Sequence, residues 1–510
     1  MPGIRFGTIL QRLFVIASLA CCLVVVCSGN AFAEADGPDT RKIIDIFGKI
    51  SQTPRCSKDE GRISAWLVNW ARERNLAVKT DATGNVIISV PGYQGRENEP
   101  PVALQAHIDM VCAKTVDSTH DFTKDPITMI RDGQWLRADR TTLGADDGIG
   151  VAIALFLASE PGIDRPPLEL VFTTDEEVDM TGAAGLAPGA ITARRLVNLD
   201  WETEGSVALG AAGGIKMDIS LPMPFVVLQD EWEVYKLEIS GLLGGHSGLA
   251  MGKNRANANV LAARALEGTA PVRVIAFDGG TADNAIAPSA AVTLAVAGKD
   301  ADALKARVSA FGLTLRRDYP EEKGLRLSLA RQQATPSAAA SSADSKSLIS
   351  LILDIPQDVH EWSTRFPGLP ETSNNIGMVN LVSGAARLKV FHRSFNPKKL
   401  EAFAQRVEGT ASKAGAASMR RSAFPTWPPD PESALYKQSL VSYEKELRSP
   451  LETHVVHAGL ECGFIAEKYP GIEIISLGPT LLDVHTPTER LHLPSVEKVV
   501  RFMRRLLKDL

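Results

Sequence analysis

Cysteine is scarce where it could build structure. The 510-residue chain has six, and Cys21, Cys22 and Cys27 fall within the first 33 residues, which leaves Cys56, Cys112 and Cys462. An odd number at such spacing argues against a disulfide framework and leaves room for one bridge. No C-x-x-C occurs, so a metal site would have to be built from His and carboxylates. Positive charge is also short, with 55 Lys+Arg against 60 Asp+Glu and a net charge of −5. No Lys/Arg stripe appears, which speaks against a nucleic-acid partner. The remaining composition, 45% hydrophobic and 23% charged, is ordinary for a soluble globular chain of more than one domain.

The N-terminus has the order of an export signal. Arg5 and Arg12 precede an apolar run, Leu13 to Val26, and Ala31-Phe32-Ala33 supplies small residues where a signal peptidase cuts. Residues 1–33 are therefore read as a cleaved signal peptide, and the mature chain as exported, periplasmic or secreted. After cleavage no stable membrane span is expected.

The chain is organised around Glu169 to Asp179, ELVFTTDEEVD. Leu170, Val171 and Phe172 suit a buried strand, which runs into the carboxylates Asp175, Glu176 and Glu177. On an extended backbone, neighbouring side chains point to opposite sides. Glu176 and Glu177 would then divide the work, one holding a metal and the other facing a water.

Similar strand ends recur. Val102 to Asp109 (VALQAHID) ends in His107 and Asp109, two apart and so on one side, like a metal ligand backed by an orienting carboxylate. Thr141 to Gly150 (TTLGADDGIG) reads as a tight turn opening an apolar helix, Val151 to Ala158. A phosphate loop is a poor reading of it, because Asp146 and Asp147 would repel the phosphates. Arg195 to Asp200 (RLVNLD) ends in another acid, and His485 sits in a loop near the C-terminus. Ligands at successive strand ends suit an α/β sheet with its site at one edge. Val78 to Ile88 reads as a hairpin, Asn254 to Leu266 as a helix, and Val496 to Leu510 as an amphipathic surface helix. The segment from Gly214 to about residue 418 supplies few strand-end acids and reads as an inserted second domain. The prolines at 425, 428, 429 and 431 mark the return from it.

His107, Asp146, Glu177, Asp200 and His485 could together hold two divalent ions, with Asp146 as the bridge. Mixed N/O ligation suits Zn²⁺, with Mn²⁺ and Co²⁺ as rivals.

On these motifs the sequence resembles the M20 metallopeptidases, and among them the bacterial aminoacyl-histidine (Xaa-His, cytosol non-specific) dipeptidases. The matching stretches are HIDMV, HDFTKDPI, TTLGADDGIG, DEEVDMTGA, NLDWETEG, GGHSG, ETSNNIG, HAGLECG and GPTLLDVHTP, in that order. DEEVDM stands where TEEAGM is usual in the subfamily. The resemblance implies a zinc-peptidase-type mixed sheet flanked by helices, with an inserted α+β lid domain. It divides the mature chain into residues 34–213 and 423–510 (catalytic) and 214–422 (lid and dimerisation). It makes His107, Asp146, Glu177, Asp200 and His485 the ligands, Glu176 the general base and Asp109 the residue that orients His107. His246, Asn375, Arg393 and Gly459 fall at positions that bind substrate in similar enzymes. The implied activity is hydrolysis of dipeptides, with deacylation of N-acyl amino acids as the alternative, and the implied assembly is a homodimer through the lid.

Overall fold

The computed structural model describes residues 37–510 apart from 94, 229–230, 270, 334–336 and 383. The expected signal peptide, residues 1–33, lies outside the described residues. The chain separates into two compact units. One is formed by residues up to Ala208, Pro431–Thr453 and Lys468–Leu510; the other by Leu209–Asp430 and His454–Glu467.

The first unit is built on a mixed sheet. Six of the sheet's eight strands are β1 (Ala77–Thr80), β2 (Val86–Val90), β3 (Val102–His107), β4 (Leu168–Thr173), β5 (Arg195–Asn198) and β6 (Glu473–Ser476), ordered in space β1-β2-β4-β3-β5-β6. The hairpin read from sequence is β1 and β2, paired antiparallel with Val78 opposite Ile88. Strand β3 runs parallel to both β4 and β5, with His107 opposite Thr173 and Gln105 opposite Asn198. This register sets the C-terminal ends of three strands side by side, and each leads directly into candidate site residues. β3 and β4 are buried along their whole length, as expected for parallel strands covered on both faces. Helices α1 (Pro38–Ile50), α2 (Gly61–Glu73) and α3 (Ala145–Ser159) belong to this unit. The C-terminal helix, Leu493–Asp509, buries Val496, Val499, Val500, Met503 and Leu507 along one face, the surface packing expected of it.

The second unit is α+β. Its antiparallel sheet centres on the long hairpin of Pro370–Val382 and Ala385–Ser394, where Asn375 lies opposite Phe391. Helices Ala258–Leu266, Ala301–Asp318, Ser342–Asp354 and Pro397–Lys413 contribute to its core, around Met217, Leu237, Leu261, Leu294, Leu348, Leu388 and Phe403. The first of these helices begins later than the sequence pattern suggests. The Asn257 side chain accepts the amides of Asn259 and Val260, which caps the helix and ends the preceding loop.

Cys56 and Cys112 form the one disulfide among the described residues, and Cys462 is a buried thiol. No helix among the described residues is long and apolar enough to cross a membrane.

Candidate active site

Asp146 stands between two imidazoles. Its Oδ1 lies 3.0 Å from His107 Nε2 and its Oδ2 lies 3.0 Å from His485 Nε2. His485 Nε2 is also 3.0 Å from Glu177 Oε2, and His107 Nε2 is 3.6 Å from Asp200 Oδ1. The structure thus brings together all five residues expected to be ligands. Three of them, His107, Asp146 and Glu177, present donor atoms within 4.8 Å of one another.

The turn before α3 explains how Asp146 reaches that position. Gly144 adopts a left-handed conformation, φ 68°, and the helical path does not settle until after Asp147. Glu489 holds this turn. Its Oε2 accepts the amides of Leu143 and Gly144 at 2.7 and 3.0 Å, and its Oε1 accepts those of Ala145 and Asp146 at 2.8 and 3.4 Å. The Glu489 side chain is buried, and burial raises its pKa against the lowering effect of these amides. Sequence reasoning missed Glu489. The only available signal was an acid four residues past His485 in a threonine-rich loop.

The Glu176–Glu177 pair corrects an expectation. The two residues lie in a turn that follows Asp175, φ 58°, and not on an extended strand. Asp109 shapes this turn: its Oδ1 accepts the Glu176 amide at 3.0 Å and its Oδ2 accepts the Glu177 amide at 3.3 Å. Ser57 Oγ donates to Oδ2 at 2.7 Å, and His107 Nδ1 lies 3.3 Å from Oδ1. Burial works to raise the Asp109 pKa, but His107, Ser57 and the Glu176 amide outweigh it and hold the group at about 2. Asp109 therefore acts on both the imidazole and the EE turn.

Carboxylates accumulate here beyond what the imidazoles can neutralise. Burial, reinforced by Asp146, pushes Asp200 up to about 7. Burial with Asp146 and Asp200 nearby pushes Glu202 up to about 8. His485 moves the other way: burial opposes its charge, yet hydrogen bonds to Asp146 and Glu177 raise it to about 11. Glu177 Oε1 is buried without a hydrogen-bond partner among the described residues. Crowded oxygens, two imidazole nitrogens and an orphaned carboxylate oxygen fit a site for divalent cations.

The remaining expected residues lie in the second unit. Arg393 is buried with its guanidinium carbon 4.0 Å from the centroid of the Phe391 ring, and its Nε has no hydrogen-bond partner among the described residues. Burial lowers its pKa to about 9, with Asp283 opposing. His246 and His457 are lowered to about 4 and about 3 by burial and then by Arg393. His457 Nε2 lies 2.7 Å from Ser373 Oγ. The Asn375 amide is engaged inside the unit, donating to the carbonyls of Asp283 and Ala285 at 3.1 and 2.8 Å. Gly459 packs so closely that a Cβ there would come within 2.5 Å of the Phe424 ring.

The sequence profile described as Peptidase family M20/M25/M40 matches residues 103–509. The cytosol non-specific dipeptidase of Escherichia coli K12 is 37% identical over 470 residues, covering 91% of this chain and 97% of that protein. The aminoacylhistidine dipeptidase of Vibrio alginolyticus superposes with a TM-score of 0.84 at 34% identity, covering 93% of this chain and 97% of the other. An aminopeptidase of Bacillus cereus, at 15% identity and a TM-score of 0.54, shares the fold. These relatives correct the expectation of an exported, periplasmic or secreted protein, since the Escherichia coli protein of nearly the same length is named for the cytosol. The A-x-A pattern on which that expectation rested is short and lies outside the described residues. The chain belongs to peptidase family M20/M25/M40.

Proposed function

We propose that the chain is a two-metal dipeptidase. The observation that carries this reading is Asp146 placed between His107 and His485, with Glu177 and Asp200 beside them. His107, Asp146, Glu177, Asp200 and His485 would hold the ions, with Asp146 shared. Zn²⁺ suits the mixed N/O donors, with Mn²⁺ and Co²⁺ as rivals. Bound divalent ions supply Lewis-acid polarisation of the scissile carbonyl and acidify the attacking water.

The chain's own residues do the rest. Asp109 fixes the orientation of His107 and the path of the EE turn. Glu176 takes a proton from the water as it attacks and the C–O bond forms, then gives that proton to the amine nitrogen as the peptide C–N bond breaks and the amine leaves. Arg393 receives the carboxylate of the dipeptide. A buried guanidinium stacked on an aromatic ring, with two neutral imidazoles near it, favours an anionic group. His246 and Gly459 complete the substrate-binding set, and Asn375 shapes the loop that carries Asp283 and Ala285. A homodimer through the second unit is part of this reading. Leu243 and Leu249, both 57% exposed, flank His246 as an apolar surface for it.

The experiment is a substrate panel on metal-loaded protein: dipeptides including Xaa-His, N-acetylated dipeptides, N-acyl amino acids and tripeptides. Dipeptides with a free amine are expected to be cleaved fastest. Preference for N-acyl amino acids would replace the dipeptidase reading with a deacylase.

A further inference from the structure

Arg55 is a fully buried cation in the loop between α1 and α2, and none of the functional roles above uses it. Its Nη1 donates to the carbonyls of Ile108 and Asp109 at 3.1 and 2.8 Å, and its Nη2 donates to the carbonyl of Gly144. One guanidinium therefore ties together the two segments that carry His107 with Asp109 and Asp146. The Gly144–Ala145 peptide group is held at both ends, because Glu489 Oε1 accepts the Ala145 amide at 2.8 Å.

The sequence makes room for this arrangement. A Cβ on Gly144 would come 2.7 Å from Arg55 Nη2, and one on Gly148 would come 2.5 Å from the same atom. Two glycines of the TTLGADDGIG motif thus leave the slot that the guanidinium fills. Burial opposes the charge on Arg55, and the carboxylates of Glu489, Asp109, Asp147 and Asp146 favour it. A planar fork with fixed donor directions can serve both segments at once, whereas an ammonium group cannot hold both in fixed geometry.

We propose that Arg55 is a positioning residue of the metal centre, setting with Glu489 the spacing between the His107–Asp109 strand end and the Asp146 turn. The proposal rests on the two-metal reading given above. Metal affinity is the quantity that responds, since partners that orient ligands commonly govern it by ~10–100-fold.

The test is a competition titration of metal-free protein with Zn²⁺ and a chromophoric chelator, with circular dichroism and thermal melting as folding controls. Wild type is compared with Arg55→Lys, Glu489→Gln, the double variant and Gly148→Ala. Arg55→Lys keeps the charge but loses the fork, and is expected to bind Zn²⁺ ~10–100-fold more weakly. Gly148→Ala removes no polar group and crowds the guanidinium, so it is expected to weaken binding in the same direction. The double variant should lose less than the product of the two single losses, because both residues act on one peptide group. Wild-type affinity in folded Arg55→Lys, or in folded Gly148→Ala, would overturn the role of Arg55. Failure of wild type to bind Zn²⁺, Mn²⁺ or Co²⁺ would overturn the two-metal reading itself, and the inference with it.

Discussion

The carboxylate of Asp109 accepts the backbone amide of Glu176 at 3.0 Å. The same group lies 3.3 Å from His107 Nδ1, so one buried acid joins a proposed ligand to the proposed base. Asp109→Asn keeps the shape but puts an NH₂ group where an acceptor is needed. Activity and metal affinity are both expected to fall by ~10–100-fold, read from kcat and chelator competition. The pH dependence has a definite sign. The folded pKa of Asp109 is depressed to about 2, so its contribution is present above the unfolded value near 3.8 and is lost as pH falls through 2. On metal-free protein, the stability gap between wild type and Asp109→Asn should be about 2 kcal/mol at neutral pH and close between pH 4 and 2.

Glu176→Gln and Glu177→Gln should give opposite phenotypes. The first is expected to keep its metal and lose at least ~10²-fold in kcat, since proton transfer is removed. The second is expected to lose metal, because Glu177 Oε2 faces His485 within the carboxylate cluster. Metal analysis and kcat on both variants decide the assignment, and reversed results would exchange the two roles.

Much of this site was legible in the sequence, for a physical reason. Parallel strands bury continuous apolar runs and open onto candidate ligands at their ends, so VALQAHID, ELVFTTDEE and RLVNLD announce themselves. The turn that carries Glu176 and Glu177 did not, because its path depends on Asp109, some 67 residues away. Glu489 and Arg55 were hidden for a similar reason. Their partners are backbone groups of the Gly144 turn, 345 and 89 residues distant, and main-chain partners leave no side-chain pattern. The glycines of TTLGADDGIG were visible, but the guanidinium that needs the space was not.

His246 tests the proposed dimer. In this reading it serves the site of the other chain as a donor to the charge that develops on the carbonyl oxygen. His246→Ala is expected to lower kcat by ~10²–10³-fold with metal content unchanged. Mixing inactive His246→Ala with inactive Glu176→Gln chains should restore part of the activity. A verified mixed dimer with no recovery would place His246 in its own chain's site.

The Cys56–Cys112 bridge closes a span of 56 residues next to Arg55 and Asp109. Loop-closure entropy gives such a cross-link about 4 kcal/mol of stabilisation. The double variant Cys56→Ser/Cys112→Ser is therefore expected to melt at a lower temperature than oxidised wild type, and strong reductant should reproduce the shift in wild type alone. Equal melting temperatures with and without reductant would show that the bridge adds no stability.

The most direct measurement is the number of divalent ions per chain in active protein, by elemental mass spectrometry after dialysis, with dipeptide hydrolysis followed on the same sample before and after chelation. The account predicts two ions per chain and activity that disappears when they are stripped. Full activity with one ion or none would contradict it.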